Sequence, residues 1–192
     1  PSERIRSHDK QAALARTAMS DAIASVFEAL NGNRIAELAE PIVRANKVWI
    51  LSGETSQAGA HALHNKLSIV RPDVCTLEEH SFGIDLGDAG PGDTAIVFDF
   101  FRYRAQVTRA ARILAEAGVT IVAITDSPLS PLVELAAVWC QIEVPAIGPF
   151  DSSVPIVAAC ELLVARVAED LKEDATNRID RIEELWEETE VF

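Results

Sequence analysis

Basic residues are scarce in this chain, and so is methionine. Lysine and arginine total 17 of the 192 residues against 30 aspartates and glutamates, and the formal net charge is −13. A protein of that charge repels nucleic acids and anionic membranes. We therefore expect neither DNA nor membrane contact from this chain itself. Its only methionine is Met19, and it starts at Pro1 without an initiator, so we expect an excised part of a longer protein.

Cysteine is rare as well, and long apolar runs are missing. No stretch approaches the roughly 20 apolar residues of a transmembrane helix, and no signal peptide is recognisable. Cys75, Cys140 and Cys160 lie far apart without metal-site spacing, and we expect free thiols in a reducing cytoplasm. His61 and His64 have a spacing that suits a metal on a helix, but no further ligand matches it. The sequence thus predicts a cytoplasmic protein with neither metal nor cofactor.

What the sequence does contain is an alternation of short apolar runs with helical patterns. Strands are predicted at residues 47–51, 73–77, 94–98, 119–124 and 138–144. Helices are predicted near residues 19–30, 34–45, 57–69, 107–114, 131–136, 155–171 and 175–190. Such an alternation, with nearly continuous apolar strands, is typical of a parallel sheet covered by helices on both faces. We expect a three-layer αβα sandwich with a central parallel sheet and extra helices at both ends.

The predicted strands end in hydroxyl-rich loops. The strand at residues 119–124 runs into Thr125, Asp126 and Ser127, and prolines stop it from continuing. The first strand runs in the same way into a loop of candidate ligand-binding residues: Ser52, Gly53, Glu54, Thr55 and Ser56. Ligands bind at the carboxyl edge of parallel sheets, so these loops predict a site for an oxygen-rich, phosphorylated small molecule. The alternative is that their hydroxyls only cap the helices that follow.

Three further segments are candidates for the same edge. Arg102, Tyr103 and Arg104 follow the strand at residues 94–98, where two guanidinium groups suit a phosphate or carboxylate; the alternative is pairing with nearby acids. Ser152 and Ser153 open the long helix near residue 155, and Asp126 and Ser127 lie after the previous strand. For each pair the sequence leaves two alternatives, contact with a ligand or capping of the helix that follows.

The case for catalysis is thin. His80 lies beside two glutamates and is either a proton carrier or a surface histidine. Glu161, placed in the first turn of the long helix, is either a general base for isomerisation or a complement to the helix dipole. No Walker loop, Gly-x-Ser-x-Gly motif or Ser–His–Asp pattern is present.

Taken together, the segments resemble a sugar isomerase (SIS) domain. The most specific piece is AITDSPLSPLVELAAV, in which a Thr-Asp at the strand end is followed by a Ser-Pro-Leu turn. The segment KVWILSGETSQAGAHALHNKL matches the family's first strand, loop and helix, with Ser56 at its loop serine. Residues 150–171 are similar to the final helix of the domain, and residues 178–187 to a C-terminal extension. The overall resemblance is greatest to the effector-binding half of RpiR/MurR-type bacterial transcription regulators.

The resemblance implies a flavodoxin-like fold and a sensing function. Residues 1–22 would join the domain to a missing helix-turn-helix domain, residues 23–175 would form the SIS domain, and residues 176–192 a C-terminal helix. It also implies a homo-oligomer, dimer or tetramer, that contacts DNA only through the missing domain.

Two loops depart from the family pattern. Ser52 and Glu54 replace glycines, and residues 99–103 replace a Ser-x-Ser-Gly-x-Thr phosphate cradle. The expected effector is therefore a phosphosugar, a sugar acid or an amino sugar. The alternatives are an aldose–ketose phosphosugar isomerase that uses Glu161 or His80, and a dimerisation module without a ligand.

Overall fold

A five-stranded parallel sheet forms the centre of the molecule. The computed structural model describes residues 8–53, 56–78 and 82–190. The strands follow the order β2-β1-β3-β4-β5, with bounds β1 (Val48–Ser52), β2 (Val74–Thr76), β3 (Thr94–Phe98), β4 (Thr120–Thr125) and β5 (Val138–Gln141). All four ladders of this sheet are parallel. The predicted αβα architecture is confirmed.

Helices cover both faces of the sheet. Their bounds are α1 (His8–Ala29), α2 (Gly32–Arg44), α3 (Gln57–Val70), α4 (Phe82–Asp88), α5 (Ala105–Glu116), α6 (Val154–Leu171) and α7 (Glu173–Glu188). Helices α1, α2, α3 and α6 pack on one face, and α5 packs on the other with α4 beside it. Among the described residues, no helix is both long and apolar enough to span a membrane.

Alternation along the strands creates two separate cores. In β1, Ile50 belongs to the core under α3 and α6, whereas Trp49 and Leu51 belong to the core under α5. Successive side chains of a strand point to opposite faces, so a strand buried on both sides has to be apolar throughout. Cys140 and Cys160 are buried free thiols, as predicted.

Helix ends are fixed by specific polar contacts. Asn31 precedes α2, and its side chain accepts a hydrogen bond from the Arg34 N–H. Arg71 is buried, and its guanidinium donates to the carbonyl oxygens of Ile42 and Ala45 where α2 ends. These contacts satisfy backbone groups that a helix end leaves unpaired.

The structure corrects the sequence prediction in several places. Residues 131–135 form consecutive turns instead of the predicted helix. A hydrogen bond from the Ala136 N–H to the Leu132 carbonyl closes one helical turn, and β5 begins two residues later, so there is no room for a second turn. Helix α4 was not predicted, and neither was the hairpin of β6 (Ala146–Ile147) and β7 (Phe150–Asp151). Strand β5 ends at Gln141, three residues before the end of the predicted strand. Helix α1 begins well before the predicted residue 19.

Candidate ligand-binding site

The strand order places one crevice where β1 and β3 meet. From these two strands the chain leaves in opposite directions, which in open α/β sheets is the usual position of a ligand. A cleft of about 990 Å³ lies there, and we call it the switch cleft. Its lining combines the ends of β1 and β2 with the first turns of α3 and α5 and part of α4: residues 50, 52, 53, 57, 58, 60, 61, 64, 65, 76–78, 82, 104, 106 and 107.

Two helix N-termini face this cleft. Ser56 occupies the N-cap of α3 and Arg104 that of α5, and neither side chain makes a capping hydrogen bond. Neither helix has an acidic residue in its first turn. The first N–H groups of a helix lack partners within it and carry a partial positive charge. Anions are favoured at such positions, and the Arg104 side chain adds a full charge to the same lining.

Gly53 allows the two loops to approach closely. A Cβ atom at this position would lie 3.1 Å from the Asp99 Oδ1 atom and 3.3 Å from the Arg104 Cγ atom. The Asp99 carboxylate accepts the Arg104 N–H at 2.9 Å and is only 1% exposed. Burial raises the pKa of Asp99 to about 6, although hydrogen bonds from the Arg104 and Phe100 N–H groups act in the opposite direction. A buried carboxyl group with a raised pKa thus lies directly behind Gly53, which lines the switch cleft.

The predicted residues of the first loop do not all line the switch cleft. Ser52 and Gly53 line the switch cleft. Ser56 is fully buried, and its hydroxyl approaches the Phe98 carbonyl at 3.5 Å. Glu54 and Thr55, together with His80, lie outside the described residues.

A second, smaller cleft lies at the start of α6. It measures about 230 Å³ and we call it the hairpin cleft, because the β6–β7 hairpin forms one side. Its lining is Phe100, Phe101, Asp126, Val144, Ala146, Asp151, Ser152 and Ile156. Asp126 accepts hydrogen bonds from the Phe101 N–H and the Tyr103 hydroxyl, both at 2.9 Å. Arg102 lies 3.8 Å from the Asp151 carboxylate.

The remaining predicted residues serve local structure near the hairpin cleft. Ser152 accepts the Val154 N–H at 3.3 Å, and Ser127 accepts the Leu129 N–H at 3.1 Å. Ser153 is the N-cap of α6 but makes no side-chain capping bond. Tyr103 also lines a groove along α5, and burial together with its hydrogen bond to Asp126 raises the pKa of its phenol.

A family model of the SIS domain matches residues 41–166, which is more than half of the chain and includes the described lining of both clefts. The chain belongs to the SIS domain family. No curated protein matches it in sequence. The match of the family model confirms the resemblance inferred from the AITDSPLSPLVELAAV segment.

Solved structures of similar proteins agree with this assignment. The sugar isomerase domain of an RpiR transcription factor from Sphaerobacter thermophilus has a TM-score of 0.80 at 26% identity, covering 88% of this chain and 95% of that one. NanR of Vibrio vulnificus, complexed with ManNAc-6P, has a TM-score of 0.78 at 16% identity, covering 91% and 68%. A protein of Methanococcus jannaschii, whose structure led to an inferred function of 3-hexulose-6-phosphate isomerase, has a TM-score of 0.72 at 15% identity, covering 87% and 96%.

Within this SIS domain, Glu161 is not where the sequence placed it. It lies about two turns inside α6, not in the first turn, because that helix begins at Val154. The side chain is half exposed and forms an ion pair with Lys66 of α3. It is absent from the described lining of both clefts.

The sequence analysis missed one wall of the switch cleft. Gln57, His61, His64 and Asn65 of α3 line it, together with Gln106 of α5. The spacing of His61 and His64 suits a metal, but within the described residues no group of three or more His, Cys, Asp or Glu side chains is placed to hold one. Their i, i+4, i+7 spacing from Gln57 was the available signal, because such positions share one face of a helix.

Proposed function

We propose that this SIS domain senses a small anionic sugar derivative in the switch cleft. The phosphate or carboxylate of the effector lies between the N-termini of α3 and α5, beside Arg104. The single observation that carries this proposal is the convergence on one cleft, at the β1/β3 crevice, of two helix N-termini whose N-cap side chains make no capping hydrogen bond. Each terminus favours an anion through its N–H groups and its dipole.

The similar proteins support the sensor role and the class of effector. One is the SIS domain of a transcription factor, and another is NanR in complex with ManNAc-6P. In our proposal the effector shifts the packing of subunits in a homo-oligomer, and a DNA-binding domain elsewhere in the protein responds to that shift. Such coupling is a difference in affinity between two states, typically about 1–3 kcal/mol.

The position of Glu161 favours a sensor over an isomerase. Isomerisation needs a base within hydrogen-bonding reach of the proton that it removes. Glu161 instead pairs with Lys66 on the outer surface of two helices, away from the described lining of the switch cleft. Of the two bases named for an isomerase, Glu161 is therefore placed outside this lining, and this supports our proposal of binding without turnover.

A thermal-shift screen tests the proposal. The purified chain is heated with sugar phosphates, sugar acids and amino sugars, including N-acetylmannosamine 6-phosphate and arabinose 5-phosphate. A compound present at one hundred times its Kd stabilises the native state by about 2.7 kcal/mol, which raises the Tm clearly. We expect at least one anionic sugar to do so, and NMR of the same mixture to show no conversion of that sugar.

Two results would contradict the sensor. If the folded chain responds to none of these compounds, a dimerisation module without a ligand is the better description. If NMR shows aldose–ketose conversion that scales with protein concentration, the chain is an isomerase.

A further inference from the structure

The switch cleft is larger than the anion position requires. Its volume of about 990 Å³ is near the upper end of the roughly 300–1,000 Å³ typical of small-molecule sites. The cleft extends away from the helix N-termini along α3, from Gln57 to His64. Seven residues of a helix span about 10 Å, which is enough for the carbon chain of a sugar.

The wall along α3 differs in chemistry from the rest of this charged surface. Charged residues make up 24% of the chain, yet none occurs between Gln57 and Asn65. The first charged residue of α3, Lys66, pairs with Glu161 on α6. An ordinary solvated helix face in this protein carries charges, as α7 does with the exposed Arg181 and Glu184.

The groups that replace charges are suited to hydroxyls. A neutral imidazole and an amide each combine a donor with an acceptor, and a sugar hydroxyl is also both. His61 is exposed and His64 is half-buried at the cleft wall, and the hydrogen bonds of the described residues engage neither. Apolar residues complete the lining: Ile50 in the middle of β1 and Leu77 after β2, both largely buried, and the half-buried Phe82 of α4.

We infer that the carbon chain of the effector lies along α3 and that His61 and His64 determine which sugar is recognised. This inference rests on the proposed function, because it places the carbon chain of the effector in the part of the same cleft that the anionic group does not fill. The class of ligand is a polyhydroxylated chain of five or six carbons that carries one terminal anionic group.

Calorimetric titration with three probes tests the inference. Glycerol 3-phosphate supplies the anion with a short chain, and arabinose 5-phosphate and N-acetylmannosamine 6-phosphate supply full sugars. The measured quantity is the ratio between the Kd of glycerol 3-phosphate and that of the tighter sugar phosphate. His61→Leu and His64→Leu keep the bulk and remove the hydrogen bonds. We expect each to reduce this ratio about tenfold, the approximate value of one or two polar contacts, and to change the Kd of glycerol 3-phosphate less than about twofold.

Matched variants separate recognition from folding. His61→Gln and His64→Gln restore a donor and an acceptor and should recover most of the ratio. Lys66→Ala alters the same helix outside the cleft and should leave the ratio unchanged, and the Tm of every variant shows whether it is folded.

The two proposals fail in different ways. If both leucine variants are folded and keep the wild-type ratio, or weaken glycerol 3-phosphate as much as the sugars, the inference is overturned and the proposed function remains. If folded wild-type protein binds none of the three probes or any other anionic sugar, the proposed function fails first.

Discussion

The switch cleft and the hairpin cleft lie at the same edge of the sheet, and both are approached by serine- and aspartate-containing loops. They differ in what those side chains do. At the hairpin cleft, Ser152 accepts a backbone N–H of α6, and Asp126 accepts two hydrogen bonds from the neighbouring loop. At the switch cleft, the N-cap side chains of α3 and α5 make no capping bond, and at the start of α5 the Arg104 N–H donates to the buried Asp99 carboxylate.

The comparison shows that a hydroxyl or carboxylate near a helix start is not by itself a sign of ligand binding. Where the polar group reaches a backbone N–H, it occupies the position that an anion would take. Where it turns elsewhere, as the buried Ser56 hydroxyl turns towards the Phe98 carbonyl, the N-cap residue leaves the first N–H groups of its helix to other partners. Among the described residues, the charges of the two linings also differ: the hairpin cleft has two carboxylates, Asp126 and Asp151, whereas the switch cleft has one, Glu78, together with Arg104.

The largest expected contrast is between two arginines of one loop. Arg104 lines the switch cleft, whereas Arg102 is mostly exposed beside Asp151. Loss of a charge-assisted hydrogen bond costs about 1.5–3 kcal/mol, so Arg104→Met should weaken the binding of a sugar phosphate about 10- to 100-fold. Arg102→Met should weaken it less than about threefold. Isothermal titration on both variants measures this, and equal losses would mean that the anion lies between the two clefts.

The next contrast is between two carboxyl groups, Asp99 behind Gly53 of the switch cleft and Asp126 in the lining of the hairpin cleft. Because the pKa of Asp99 is raised from 3.8 to about 6 in the native state, the native state binds more protons than the unfolded state between those values. The free energy of unfolding therefore falls as the pH rises through that window, by about 2–3 kcal/mol in total, and this contribution is constant above it. Relative to wild type, the free energy of unfolding of Asp99→Asn should therefore rise by about 2–3 kcal/mol as the pH is raised from 4 to 7.

Replacing Asp126, in contrast, should destabilise the protein. Its replacement in Asp126→Ala leaves the Phe101 N–H and the Tyr103 hydroxyl without their acceptor, which should lower the free energy of unfolding by about 1 kcal/mol at pH 7. Urea denaturation at several pH values measures both variants. A pH-independent difference for Asp99→Asn would show that Asp99 is not the buried titrating group.

The smallest contrast is between two serines at helix starts. Ser152→Ala removes an acceptor for the Val154 N–H and should cost about 1 kcal/mol of stability, with the affinity for sugar phosphate unchanged. Ser56→Ala removes only a long contact to the Phe98 carbonyl and should cost about 0.5 kcal/mol or less. Thermal unfolding and titration of both proteins test this. A greater loss of affinity in Ser152→Ala would move the site to the hairpin cleft.

Much of the fold follows from local patterns in the sequence. The strand at residues 94–98 is predicted with the same bounds as β3, because an apolar run between a Gly-Pro-Gly turn and a polar loop has no good helical alternative. The predicted helix at residues 131–136 was wrong for a reason of length. Only one helical turn fits before β5, and a single turn fixes several dihedral angles for one hydrogen bond.

The candidate site was predictable to the level of the sheet edge and no further. The loops after β1, β3 and β4 were correctly placed there, since parallel strands have their carboxyl ends on one side. Which loop residues line which cleft was not predictable. Tyr103 and Arg104 are neighbours in sequence, yet one bonds to Asp126 and the other lines the switch cleft.

The sequence by itself determined the fold class, the family and the free buried thiols, because hydrophobic periodicity and strand-end motifs act over a few residues at a time. Only the tertiary structure decided which N-cap side chains bond to their helices, that Asp99 is buried beneath Gly53, and that His61 and His64 lie on the wall of the switch cleft. Those features arise where segments distant in the chain meet. Their energetics depend on burial and on the direction of hydrogen bonds, which no local pattern encodes.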